Sequence, residues 1–282
     1  MQIDTLYPTS PILKRHIEYY YFLKTNSSDF NNTYYSFPNT LQSFNIHKNA
    51  SCEIKTSFTR VYEDKANPYV TIVQGKYELP LLVHLKGRLD KVTIIFKPLG
   101  INQFINKTFA EVAAEECQVF TEWENDKEYI AFLSAFYKTN NNTERVLLLE
   151  NFLLSRYYYK SESEVLQKPI NQLMDFDKEY TIEEIAENIS MNTRSFNRLF
   201  NKHVGITPIS FRKIARFRHS LKNKLFSNRF KTLTEIGYES NFYDQSYFIR
   251  MYKSLTGDNP SNFFSSIEKL GDDQLIFRFI KK

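Results

Sequence analysis

The chain has 282 residues, 42% of them hydrophobic and 16% aromatic, enough for one large or two ordinary domains with packed cores. Seven glycines and nine prolines exclude a linker-rich or fibrous chain, and the two cysteines, Cys52 and Cys117, lack the clustering that a metal site needs. The net charge of +5 is unevenly placed: from Lys178 onwards there are 18 Lys/Arg against 11 Asp/Glu, and before it 19 against 21, so the C-terminal part is the one suited to a polyanion.

The chain opens without a basic stretch leading into an apolar run, and no segment reaches about 18 uninterrupted apolar residues. A cytoplasmic protein with no membrane partner is therefore expected, its cysteines acting as small buried hydrophobes. The first part reads as strands: HIEYYYFLKTN from His16, LQSFNIHKN from Leu41, YVTIVQGKY from Tyr69 and DKVTIIFKP from Asp90 are β-branched or aromatic runs separated by turn residues. Strands at such short spacing predict a sandwich or barrel. Its aromatic residues Tyr19, Tyr20, Tyr34, Tyr35 and Phe37 suit either core packing or the wall of an apolar pocket. INQFINKTFAEV, from Ile101, predicts a helix.

A second helix is predicted over NTERVLLLENFLLSRYYYK, with Val146, Leu149, Leu153 and Tyr157 on one face and Asn142 as its N-cap. It carries more apolar residues than one face needs, which fits a core helix between domains or a dimerisation helix. From about Pro169 to Phe264 the spacing is helical throughout. The expected organisation is a β-rich domain over 1–125, a helical linker over 126–165, an all-α domain over 166–265 and a tail over 266–282, an α+β chain overall.

The all-α region contains a repeat. TIEEIAENIS at Thr181 returns as TLTEIGYESN at Thr232, and RSFNRLFNKHVGITP at Arg194 returns as SYFIRMYKSLTGDNP at Ser246, with offsets of 51 and 52. Thr181 with Glu184, and Thr232 with Glu235, have capping-box spacing, in which hydroxyl and carboxylate satisfy orphan N–H groups reciprocally. Gly205 and Gly257 suit the left-handed turn that closes a helix, and Thr207-Pro208 and Asn259-Pro260 suit the start of the next. The pattern is helix, turn, helix, stop, helix, made twice.

The second helix of each unit, near 193–203 and 244–254, has an inward stripe (Phe196, Leu199, Phe200; Phe248, Met251, Tyr252) and an opposite stripe. The latter holds Arg194, Asn197 and Arg198 in one copy and Gln245, Ser246, Ile249 and Arg250 in the other. Arginine and amide side chains match the base edges of a major groove, and Ile249 suits a thymine methyl. ISFRKIARFRHSLKNKLF, from Ile209, predicts one continuous helix between the units, about 27 Å long. Of its basic residues Arg212, Lys213, Arg216, Arg218, Lys222 and Lys224, some are expected to meet phosphates, as are the helix N-termini, with no individual residue assigned.

RSFNRLFNKHVGITPISFRKIARF and TLTEIGYESNFYDQSYFIRMYKSLTGDNPSNF resemble the AraC family of bacterial transcription regulators over the last third of the chain. The resemblance implies a seven-helix domain that places two recognition helices in successive major grooves. By position it assigns Arg194, Asn197, Arg198, Gln245, Ser246 and Arg250 to DNA. VTIIFKPLGINQFI is similar to a strand–turn–helix in the cupin-like sensory domain of some members, which implies effector binding or dimerisation. Two departures stand out: Asn241 occupies the turn where the family usually has glycine, and Gly237 stands where it usually has alanine.

The expected function is sequence-specific DNA binding in transcription regulation, not enzyme catalysis. Candidate partners are double-stranded DNA, a small-molecule effector, RNA polymerase and a second copy of the chain. The alternatives are a cupin-like or alkyl-acceptor enzyme fused to the same DNA-binding domain, and a non-specific architectural DNA binder. His16, His47 and His84 are scattered without His-x-His spacing, and neither cysteine sits in an acceptor motif, so no metal or other cofactor is expected.

Overall fold

The computed structural model describes residues 1–75, 77–226, 244–270 and 275–280. All four aromatic and β-branched runs form strands. The elements run β1 (Gln2–Leu6), α1 (Pro11–His16), β2 (Ile17–Lys24), β3 (Asn31–Ser36), β4 (Gln42–Lys48), β5 (Ala50–Lys55), β6 (Phe58–Glu63), β7 (Tyr69–Gln74), β8 (Leu81–Lys86) and β9 (Asp90–Phe96). There follow α2 (Phe109–Val112), β10 (Cys117–Val119), α3 (Lys127–Phe136) and α4 (Asn142–Ser155). The helical part comprises α5 (Ser161–Glu164), α6 (Gln167–Leu173), α7 (Ile182–Glu187), α8 (Thr193–Val204), α9 (Pro208–Phe226), α10 (Gln245–Thr256) and α11 (Pro260–Ser266), and ends in a hairpin, β11 (Glu268–Leu270) and β12 (Leu275–Phe279).

The strands make two six-stranded sheets, ordered β1-β2-β9-β4-β7-β10 and β11-β12-β3-β8-β6-β5. Every pairing is antiparallel except β6 with β8. The first sheet is covered on both faces. Tyr20, Phe22, Phe44, Ile46, Ile94 and Phe96 belong to a core shared with helices α1 to α4, whereas Tyr19, Tyr21, Ile72 and Ile95 belong to a core shared with the second sheet. Burial on both faces explains why β2 reads as an almost unbroken apolar run instead of alternating.

Helix α4 belongs to the first of these cores. Its Phe152 stacks on Phe132 with ring centroids 4.6 Å apart, and Val146, Leu149 and Leu153 are buried beside it. Arg145, almost fully buried, makes a bidentate pair with Asp90 at 2.9 Å for both contacts and so ties α4 to β9. The N-cap is Asn141 and not Asn142: its carboxamide oxygen accepts from the main-chain N–H groups of Thr143 and Glu144. Tyr157 lies beyond the helix end at Ser155 and packs at the edge of the core.

The helix expected over INQFINKTFAEV is interrupted. A 3₁₀ turn spans Gly100–Gln103, and α2 starts separately under a capping box formed by Thr108 and Glu111. Between them the Glu122 carboxylate accepts from the N–H groups of Asn106 (2.5 Å) and Lys107 (3.3 Å), taking donors that a continuous helix would use internally. The Pro-Leu-Gly turn before it needs its glycine. A Cβ on Gly100 would meet the His16 carbonyl oxygen at 2.1 Å, closer than any real contact.

The helical part has its own core, with Phe196, Phe200, Phe211, Phe217, Tyr252 and Phe263 at its centre. Two residues of the β part enter it: Phe37, fully buried with its ring 4.9 Å from that of Phe263, and Leu99. Burying one such phenyl ring stabilises the junction by about 1.5–3 kcal/mol. The hairpin makes the reverse crossing. β12 pairs with β3 (Phe277 opposite Ser36, Arg278 opposite Tyr35, Phe279 opposite Tyr34), so residues carried beyond the last helix complete the second sheet of the N-terminal part.

Candidate nucleic-acid interface

The local chemistry that builds α7 and α8 matches their start and stop signals. Glu184 N–H donates to Thr181 Oγ1 at 3.1 Å while Thr181 N–H donates to the Glu184 carboxylate at 2.7 Å. Asn192 caps α8, and Gly205 closes it at φ 87°. Ser210 N–H then donates to Thr207 Oγ1, which starts α9. In the second unit Asp244 caps α10, Gly257 closes it at φ 76°, and Asn259 caps α11. Thr232, Glu235, Gly237 and Asn241 lie outside the described residues.

Helix α9 is continuous over its 19 residues, about 28 Å, and both α8 and α10 pack on it. The Ser220 and Tyr252 hydroxyls, 2.9 Å apart, join α9 to α10 inside the core. On α8, Phe196, Phe200 and Val204 face inward and Arg194 and Arg198 are exposed. Asn197 is half-buried and donates its amide to the Thr193 carbonyl at 2.8 Å, so its carboxamide NH₂ is partly occupied within the helix. On α10, Phe248, Met251, Tyr252 and Leu255 face inward. Gln245, Ser246 and Arg250 are exposed, and Ile249 is half-buried.

The basic residues of α9 divide. Arg212 donates to the Tyr180 carbonyl at 2.6 Å, Arg216 pairs with Glu179 at 2.9 Å, and Lys213 donates to Ser254 Oγ at 2.7 Å. Arg218 turns the other way, into the β part, where Nε donates to the Pro38 carbonyl and Nη2 to the Phe37 carbonyl. Burial there pushes its guanidinium below the ordinary arginine value, with the hydroxyls of Tyr77, Tyr19 and Tyr252 opposing the shift. Four of the six, Arg212, Lys213, Arg216 and Arg218, thus bond within the protein, and Lys222 is the exposed one.

Sequence reasoning did not find this junction. Besides Arg218 it includes Arg278 of β12, which pairs with Asp258 at 3.2 Å and lies over the Tyr35 ring, and Asn102, which donates to the His203 carbonyl at 2.9 Å. The alternation in LIFRF (275–279) was a strand signal, but a single short strand gives no hint of its partner.

A cavity lies between the sheets of the N-terminal part. Its wall includes Tyr19, Tyr21, Tyr34, Asn45, His47 and Lys91, and Arg218 and the β12 residues Leu275 and Phe277 close it. Of the five aromatics named from the sequence, Tyr19 and Tyr34 reach this wall. Tyr20 lies in the helix-side core, and Tyr35 and Phe37 lie at the junction. Burial pushes the Cys117 thiol up to about 11 and raises that of Cys52, so neither is an activated thiolate.

Two helices with exposed basic residues, α8 and α10, are thus held on a common helix, α9. Residues 185–266 match the helix-turn-helix domain family, and this part of the chain is a helix-turn-helix domain of the AraC type. The arabinose operon regulatory protein of Escherichia coli (strain K12) is 29% identical over 97 residues, which cover 34% of this chain and 32% of that protein. The XylDLEGF operon transcriptional activator 2 of Pseudomonas putida is 31% identical over 88 residues, 30% of this chain and 55% of that one. The chain therefore spans between about a third and just over half of these relatives' length. A solved structure of ToxT from Vibrio cholerae is similar with a TM-score of 0.48 at 11% identity, covering 86% of this chain and 98% of that one. Among the described residues, no helix is long and apolar enough to cross a membrane.

Proposed function

We propose that the chain is a sequence-specific DNA-binding transcription regulator, with α8 and α10 as the helices that enter the major groove. The observation that carries this reading is the exposure of Arg194, Arg198, Gln245, Ser246 and Arg250 on the two helices whose opposite stripes are buried against α9. Arginine and amide groups at these positions suit base edges, which a purely architectural binder would not need. The protonated thiols of Cys52 and Cys117 count against an alkyl-acceptor enzyme. The β part is the sensing half in this reading, with the cavity as its effector site; RNA polymerase and a second copy of the chain are its further partners.

The test is a gel shift with the DNA upstream of the protein's own gene, against random DNA of equal length at fixed salt. Arg198→Ala and Arg250→Ala should each weaken specific binding by about 10- to 150-fold, the cost of roughly 1–3 kcal/mol per bidentate base contact. They should leave binding to random DNA nearly unchanged. Equal affinity of the wild type for both DNAs would overturn the sequence-specific reading.

A further inference from the structure

We infer that the cleft between the end of α1, the Pro-Leu-Gly turn and helices α5 and α6 is a binding site for an adenine nucleotide. It shares no residue with the cavity between the sheets and takes none from α8 or α10.

The cleft measures about 590 Å³, within the roughly 300–1,000 Å³ of sites that enclose a small organic molecule. Part of its wall is firmly held. After α4 the chain is strapped down at Gln103, whose carbonyl accepts from Tyr158 N–H at 2.8 Å and whose Oε1 accepts from Lys160 N–H at 2.9 Å. Lys160 Nζ adds a bond to the Ile105 carbonyl at 2.6 Å. At the cleft wall Tyr157 lies against His16, with ring centroids 5.4 Å apart. A planar ring entering there has aromatic partners to stack on, and any nucleobase supplies such a ring.

The polar groups of the cleft are largely unengaged. Arg15 and Lys168 are exposed, and neither has a hydrogen bond or ion pair among the described residues. Gln167 Nε2 donates to Asn171 Oδ1 at 3.1 Å, which leaves Gln167 Oε1 as an acceptor next to the Asn171 Nδ2 donor. An amide acceptor and donor side by side match the N6 and N7 of adenine. The Glu164 carboxylate, which lies against the Tyr159 hydroxyl, retains acceptor sites for a ribose diol. His16 Nε2 is buried without a hydrogen-bond partner, and burial, with Arg15 and Lys97 nearby, keeps the imidazole neutral and able to donate to a ligand oxygen.

Two cations for a phosphate, a carboxylate for a diol, an amide pair for a base edge and aromatic rings for its face together describe a nucleoside monophosphate. Inorganic phosphate or a sugar phosphate would use only part of this set. A nucleotide seated here would touch α1 of the β part and α6 of the helical part at once.

The test is titration calorimetry and thermal denaturation of the full chain with AMP. CMP, UMP, adenosine, ribose 5-phosphate and sodium phosphate are the comparisons. AMP should raise Tm by on the order of 5 °C at about 100 times its Kd. Adenosine should bind about tenfold more weakly, and ribose 5-phosphate and phosphate more weakly still. Arg15→Gln combined with Lys168→Gln should weaken AMP binding by about tenfold and leave adenosine unchanged. Asn171→Leu should bring AMP down to the level of CMP. All three positions are exposed, so the fold should survive, and an unchanged Tm without ligand checks this. Arg198→Ala, on α8, should bind AMP as the wild type does, which separates this site from the proposed DNA contacts. The proposal is overturned if AMP does not bind, or if CMP, UMP or phosphate binds equally well. It is also overturned if either set of cleft substitutions leaves AMP affinity unchanged, or if Arg198→Ala loses it.

Discussion

Arg218 Nη2 donates to the main-chain oxygen of Phe37 at 2.5 Å, while the phenyl ring of Phe37 lies in the core of the helical part. One residue of each half is thus held by the other, and the Arg218 Nε bond to the Pro38 carbonyl makes the hold two-pronged. Replacing the guanidinium by an apolar chain would strand two carbonyls in a poorly hydrated junction, at about 1–3 kcal/mol each. Arg218→Met should therefore lower the free energy of urea unfolding by roughly 2–4 kcal/mol, and Arg218→Lys by less, since an ammonium can still reach one carbonyl. A Met variant as stable as the wild type would show that the clasp carries no weight.

Phe277 on β12 makes the second fastening. Its ring centroid lies 4.3 Å from that of Tyr34, and it is 8% exposed. Phe277→Ala should cost about 3–5 kcal/mol, the usual range for an aromatic ring removed from a core. Ile280→Ala, just beyond the strand and exposed, should stay within about 0.5 kcal/mol. Equal effects from the two would mean that the hairpin is not packed as described.

Gly257 offers a test of backbone conformation alone. At φ 76° it lies in the left-handed region, and an added Cβ would meet nothing within 4 Å. Gly257→Ala should thus cost about 1–2 kcal/mol from backbone preference without any clash, and Gly257→Asn should cost less, because asparagine tolerates that region better. Thermal denaturation of the two variants side by side distinguishes this from a packing effect, which would rank the larger asparagine worse.

His47 predicts a pH dependence. Burial, reinforced by Lys91, holds its folded-state pKa well below 6.5, so between that value and 6.5 the unfolded chain binds a proton that the folded chain does not. The stability this group contributes is complete above about 6.5 and falls as the solution is acidified, by up to about 1.4 kcal/mol per pH unit. His16 and His203 are shifted in the same direction, again chiefly by burial, and add to the slope. Urea unfolding at pH 7.5, 6 and 5 should show the decline, and His47→Gln should flatten it. An unchanged slope in that variant would place the titration elsewhere.

Much of the helical half was legible because its signals are local. Thr181 with Glu184, Gly205, and Thr207-Pro208 each act within four residues, and a capping bond or a left-handed turn depends on little beyond them. The strands of the first sheet were legible for a related reason, since burial on both faces makes them dense in aromatic and β-branched residues. The interrupted helix after Gly100 was not, because the group that breaks it, Glu122, sits far along the chain from the N–H groups it takes. The same holds for Arg218, which reads as one more positive charge on a basic helix until the fold sets Phe37 and Pro38 beside it. The cavity was hidden in part by alternation: adjacent tyrosines 19 and 20 point to opposite sides of the sheet, and only one of them can face it.

The pairing of β12 with β3 also sets an order of events during synthesis. The edge of the second sheet at β3 is made early, and the strand that covers it emerges only after the last helix, α11, has been translated. Until then β3 presents unpaired main-chain groups, the kind of open edge that recruits other strands. A nascent chain halted before Leu275 should therefore be prone to self-association. A full-length chain would close this edge of the second sheet in one final step.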